Sequence, residues 1–175
     1  SMRWLGADFS NELNSFYLIN KAKNWNEFKS AFKDYGLPGQ NFVYGDKSGN
    51  IGYLFGGKLP IRSSVSPTFI YDGTTNKYDW KGIVPINELP SILNPSTNFL
   101  ATANNKLVKD FKYHISNIWE PSSRSERIQA LLTGKEKHSV EDYKKYQMDV
   151  TSPYAEKIVK HILSSFEGIK VVDAN

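Results

Sequence analysis

GQNFVYGDKSGNIGYLFGGKLP, residues 39–60, reads as two short strands around a turn. Phe42 and Tyr44 alternate with Val43, and Ile51 and Tyr53 resume the pattern beyond Asp46-Lys47-Ser48-Gly49-Asn50. Gly49 supplies the positive φ that such a loop needs, so the stretch predicts an antiparallel hairpin. Asp46, Ser48 and Asn50 also mimic the first ligands of a calcium loop. Ile51 stands at the sixth position, where glycine is required, and Gly57 at the twelfth, where glutamate belongs, so an EF-hand is excluded. Gly52, Gly56 and Gly57 lack the GK[ST] ending of a phosphate loop; they read as glycines that let strands pack or bend.

Working outward, Asn24-Trp25-Asn26-Glu27 opens a helix by a capping box. Trp25, Phe28, Phe32 and Tyr35 give it one apolar face before Gly36 and Pro38 stop it. The apolar residues 16–19 predict a second helix upstream. Residues 61–97 carry Pro67, Pro85, Pro90 and Pro95 with little periodicity, so a long irregular excursion is expected there. NFLATA, residues 98–103, reads as a buried strand. The last third is helical: Ser123-Arg124-Ser125-Glu126 forms a second capping box, Ser139 to Asp142 starts a further helix through Tyr143 and Tyr146, and Ser152-Pro153 starts a final one. That last helix is expected to turn Tyr154, Ile158, Ile162 and Phe166 inward, with a closing strand over 169–172. The class is α+β.

The 175 residues suit a single domain with its own core, and 39% hydrophobic with 23% charged is ordinary for a folded chain. No apolar run approaches a membrane span, and no cysteine is present for disulfide or thiolate chemistry. The net charge of +4 is scattered, with KEK (135–137) and KK (144–145) beside acidic residues, which argues against a nucleic-acid partner. Nothing at the start reads as a signal peptide; Ser1-Met2 looks like a cloning scar before an interior piece of a longer protein. A terminal serine can act as a nucleophile, but nothing after Ser1 supports that role here. His114, His138 and His161 lie far apart with no HExxH, so they read as surface histidines and not a zinc site.

Asn104-Asn105 stands where NFLATA runs out. A side-chain NH2 there could donate to a developing oxyanion, and an Asn-rich turn would explain the same pair. Trp80, Tyr78 and Tyr71 suggest an alternative, a carbohydrate- or nucleic-acid-binding module that stacks its ligand on surface aromatics.

Eight blocks in one order carry more weight than any of these: RW (3–4), AKNW (22–25), QNFVYGDKSGNIGY (40–53), YDWKG (78–82), ELP (88–90), NPSTNFLATANN (94–105), SSRSERI (122–128) and YQMDVTS (146–152). Together they resemble the penicillin acylase family of N-terminal-nucleophile hydrolases over nearly the whole chain. The resemblance implies part of a four-layer αββα sandwich and an interior section, 1–175, of the large subunit. Enzymes of this family cleave the amide between an acyl group and an amine, in β-lactams or in N-acyl amides such as acyl-homoserine lactones. An N-terminal serine attacks, and an acyl-enzyme forms and is hydrolysed.

The resemblance assigns the oxyanion side chain to Asn104 and an active-site arginine to Arg124, whose planar fork would hold Asn104 and a substrate carboxylate. It assigns acyl-pocket positions to Phe16 and Gln40. The attacking serine and the backbone amide of the oxyanion hole lie upstream of the RW block in the family, and neither has a counterpart here. No cofactor is implied for catalysis. A structural calcium is common in the family; the matching positions are Pro67 and Asn117, the latter where aspartate is usual. The implied partners are a small-molecule amide and the remaining segments of the same enzyme, the small subunit and the rest of the large one. Self-association of the bare section is a further expectation.

Overall fold

The computed structural model describes residues 2–63 and 66–168. The expected strand over 169–172 lies outside them. The chain divides into two compact units, Ser1–Thr102 with Lys106–Trp119 and Ala103–Asn105 with Glu120–Asn175.

In the first unit, α1 (Glu12–Lys21) and α2 (Trp25–Ser30) precede a hairpin of β1 (Gln40–Gly45) and β2 (Ile51–Gly56). α1 contains the predicted helical stretch 16–19. Asn24 caps α2 by accepting the Glu27 N–H at 3.0 Å, while the Glu27 carboxylate reaches past the cap to the Lys23 N–H at 2.9 Å. α2 is shorter than its apolar spacing predicts. From Phe32 to Tyr35 the backbone closes i to i+3 bonds, which keeps Phe32 and Tyr35 on the buried side without α-helix.

β1 and β2 pair antiparallel from Gln40↔Gly56 to Gly45↔Ile51. Gly49 sits at φ 86°, and the Asp46 carboxylate organises the turn by accepting from Ser48 N, Asn50 N, Asn50 Nδ2 and the Tyr44 hydroxyl. One face of the hairpin meets the helices: Phe28, Phe32, Tyr35, Tyr44 and Leu54 form a core flanked by Trp25 and Phe42. Its rings meet mostly edge to face, as between Phe32 and Phe42 at 4.5 Å, a geometry worth about 0.5–1.5 kcal/mol per pair beyond area. Gly52 and Gly56 leave room for those rings. A Cβ at Gly52 would lie 2.6 Å from Trp25, and one at Gly56 2.6 Å from Phe42.

The excursion over 61–97 is not wholly irregular. Ser91–Leu93 forms β3, antiparallel to β2, and Asn94 prolongs the pairing by donating to Ile51 O at 2.8 Å and accepting the Ile51 N–H on its side chain at 3.0 Å. Three residues between prolines are too few to show a period. A second small core gathers Leu59, Val84 and Leu89 near the bridge Pro60↔Ile83.

NFLATA is not a strand. Asn98 turns at φ 57°, and residues 99–102 form no ladder among the described residues. Leu100, Ala101 and Thr102 instead line a cavity on the outward sheet face with Val43 and Tyr53. Side chains laid across a face leave the backbone without an edge to pair with.

The second unit holds α3 (Ser123–Thr133), α4 (Val140–Gln147) and α5 (Pro153–Ser165). α4 starts where predicted and is closed by a capping box of Ser139 and Asp142, and α5 has Ser152 as cap and proline in its first turn. α3 does not form the box expected from Ser123 and Glu126. Ser122 is its cap and commits its hydroxyl to the Glu126 carboxylate at 2.5 Å. Arg127 grips Asp149 with two bonds, Nε at 2.9 Å and Nη2 at 2.5 Å, holding the Asp149 carboxyl down at about 2. The inward face foreseen for α5 is not buried: Tyr154, Ile158, Ile162 and Phe166 are 37–58% exposed. No described helix is long and apolar enough to cross a membrane.

Candidate active site

Two adjacent amides at the end of an apolar run have different surroundings. Asn105 turns back, and its Oδ1 accepts the Ala103 N–H at 3.0 Å. Asn104 stands at φ 60°, in the left-handed region that asparagine enters more readily than most residues. Its carbonyl accepts the Glu120 N–H at 3.1 Å, and its exposed side chain reaches Arg124, whose Nη1 donates to Oδ1 at 3.3 Å. Arg124 comes from the first turn of α3, where the Ser125 hydroxyl donates to the Ser122 carbonyl at 2.8 Å. With Oδ1 taken by a guanidinium, the Nδ2 of Asn104 has no acceptor among the described residues. An amide held this way presents an NH2 for an external oxygen. The two adjacent amides thus differ in what they bond, a distinction that composition could not make.

In the first unit, Phe16 and Gln40 meet on Tyr35. The Phe16 ring lies edge-on to Tyr35 at 5.7 Å. The Tyr35 hydroxyl shares its proton between Pro38 O at 3.0 Å and Gln40 Oε1 at 3.2 Å, and burial followed by the Glu12 charge pushes its pKa up. On the outward sheet face, the Tyr53 hydroxyl donates to Asn41 Oδ1 at 2.7 Å and Asn41 Nδ2 to Thr102 Oγ1 at 2.9 Å. This relay borders an open, largely apolar cavity of about 510 Å³ lined by Val43, Tyr53, Ile92, Leu100, Leu107 and Phe111.

Asn117 reaches the segment around Pro67, its Nδ2 donating to Ser66 Oγ at 2.9 Å. One neutral amide and a carbonyl are far from the six to eight oxygens calcium takes. Among the described residues, no group of three or more His, Asp or Glu side chains could hold a metal. These residues do not by themselves fit a calcium shell.

The histidines are not all surface groups. His138 is bonded at both ring nitrogens, to Tyr146 Oη and Leu132 O, each at 2.9 Å. His114 buries an Nε2 that has no partner among the described residues, and its burial, then the Arg62 charge, pushes its pKa down. The aromatics of the alternative reading have partners within the chain: Tyr71 and Tyr78 lie 4.6 Å apart, and Arg3 and Arg62 stand 4.8 and 5.6 Å from the Trp80 ring.

Among known proteins, the family model described as penicillin amidase matches residues 1–174. The chain is 34% identical over 117 residues to penicillin G acylase of Escherichia coli, covering 66% of this chain and 14% of that protein. It is 29% identical over 149 residues to the acyl-homoserine lactone acylase QuiP of Pseudomonas fluorescens (strain Pf0-1), covering 85% and 18%. Among solved structures, a thermostable penicillin G acylase from Alcaligenes faecalis aligns with a TM-score of 0.62 at 27% identity, covering 75% of this chain and 24% of that one. The chain thus spans less than a fifth of the length of either named relative.

Proposed function

The chain belongs to the penicillin amidase family, and from that premise we propose that it is a section of an amide hydrolase that releases an acyl group from an amine. The substrate class is an acylated β-lactam or an N-acyl amide of the acyl-homoserine lactone kind. The section contributes Asn104 Nδ2 as an oxyanion donor and Arg124 as the group that orients it. The attacking serine belongs to polypeptide outside this section, and so does the backbone amide that completes the oxyanion hole.

One observation carries the reading: the Arg124–Asn104 bond at 3.3 Å, made through the acceptor end of the amide. A carboxamide free to rotate would present oxygen as often as NH2 to a negative charge. With its oxygen on a guanidinium, it presents only the donor. As the carbonyl carbon becomes tetrahedral, charge grows on its oxygen, and a donor fixed beforehand needs no reorganisation at that moment. The exposed Phe16 ring and Gln40 side chain, both resting on the buried Tyr35, offer apolar surface with a polar edge, which suits an acyl chain. Calcium, where the whole enzyme binds it, needs ligands beyond Pro67 and Asn117.

The test is Asn104→Ala in the full-length enzyme, assayed on a chromogenic phenylacetyl amide and on a long-chain acyl amide. The expected result is a fall in kcat of ~10²–10³ with the fold intact, the usual effect of losing one oxyanion donor. Near-normal kcat overturns the assignment.

A further inference from the structure

We propose that Asn105 is a positioning residue for the reaction, clamping the backbone so that the Asn104 amide points where it does; this rests on the oxyanion role just proposed for Asn104. Three bonds bracket Asn104. Asn105 Oδ1 accepts the Ala103 N–H at 3.0 Å, reaching back across Asn104. The Glu120 N–H fixes the Asn104 carbonyl at 3.1 Å, and Arg124 holds the side-chain oxygen at 3.3 Å. Between these anchors the Asn104 backbone sits at φ 60°. Asparagine can adopt that region, but right-handed and extended backbone are open to it as well, so the bonds on either side decide which it takes.

Ala103 is buried, so its N–H cannot readily exchange the Asn105 acceptor for water. Without that acceptor, residues 103–105 would relax toward a conformation in which the N–H finds another partner. In the usual right-handed or extended region the Asn104 side chain would leave a different face of the chain. Arg124 alone cannot correct this, because one hydrogen bond to the amide oxygen restrains its distance and leaves the direction of the NH2 open. Asn105 need not touch substrate. Its action passes through Asn104, which separates it from a catalytic residue.

The experiment uses the full-length enzyme and four variants: Asn105→Leu, Asn105→Asp, Asn104→Ala, and Asn104→Ala combined with Asn105→Leu. Leucine matches asparagine in size and has no acceptor, so kcat should fall about 30- to 100-fold with KM within about twofold, the scale on which a misplaced group costs rate. Aspartate keeps the oxygen for Ala103 and should recover at least about tenfold of that loss. The double variant should be no slower than Asn104→Ala alone, because a residue that acts only through another has nothing left to act on. Near-normal kcat for Asn105→Leu overturns the proposal. So does a folded but inactive Asn105→Asp, or a loss from Asn105→Leu that multiplies in full with that of Asn104→Ala. If Asn105→Leu does not fold, the Asp variant still decides. Normal kcat in Asn104→Ala would sink the oxyanion reading itself. A slow Asn104→Ala beside a normal Asn105→Leu would sink only this inference.

Discussion

At the scale of single residues, the same side chain does different work according to what its neighbours leave unpaired. Glu12 illustrates this away from the site. The Ser10 hydroxyl and the amides of Leu37 and Gly36 hold its carboxyl down at about 2 from 4.5. A folded-state value below the unfolded one contributes stability above the unfolded value and loses it as pH falls toward the folded one. The urea midpoint of the chain should therefore fall between about pH 4.5 and 2, and less steeply in Glu12→Gln, whose amide does not titrate; equal slopes would refute the attribution. Ser15 on α1 is the opposite case, a fully buried hydroxyl without a partner among the described residues. Ser15→Ala should raise stability by about 0.5–1.5 kcal/mol in urea titrations, since it removes an unsatisfied polar atom and favours helix. A loss would mean that the hydroxyl has a partner. The contact between Asn104 and Arg124 was legible in the sequence only through the ordered blocks around them, because a 20-residue separation carries no periodic signal. The part proposed for Asn105 was not legible at all. It depends on a bond running backward to Ala103, and either of two adjacent asparagines could make a turn.

At the scale of elements, the hairpin reads correctly because its signals agree: alternating aromatics, a turn glycine, and an Asp46 that bonds four donors in one loop. Its glycines are a packing requirement, and this is testable. Gly52→Ala and Gly56→Ala should each cost about 1–3 kcal/mol, because the new methyl meets aromatic rings already in the core. Gly45→Ala, with nothing within 4 Å, should change stability little. Equal effects at all three would mean that the core rings move aside at small cost. The misreadings share a cause. NFLATA has the composition of a strand, but strandedness needs a partner edge, which no local pattern encodes. β3 is too short for a period, yet it finds the edge of β2. On α3, the helix starts at Ser123, so Ser122 stands at the cap position and its hydroxyl bonds Glu126 instead of a backbone N–H.

At the scale of the molecule, an amphipathic pattern predicts which face of a helix will be covered but not what will cover it. On α5, the apolar row of Tyr154, Ile158, Ile162 and Phe166 is at least a third exposed, with Val159 and Leu163 beside it. In the first unit, the apolar cavity bounded by Val43, Ile92, Leu107 and Phe111 is open. Contiguous apolar surface of this kind usually marks an interface, and the relatives are more than five times longer than the segments they share with this chain. The isolated chain should then behave as a section and not as a small enzyme. It should hydrolyse phenylacetyl or long-chain acyl amides no faster than buffer, and its light-scattering mass should rise with concentration. Ile158→Lys with Ile162→Lys should suppress that rise at little cost to the chain's own stability, because both side chains are already partly in water. In the full-length enzyme the same pair of lysines should lower thermal stability, since burying a charge against another segment is costly. Opposite effects in the two settings would mean that α5 is covered by the rest of the enzyme. A monomeric isolated chain, or lysines tolerated in both settings, would mean that the row faces water in the working protein.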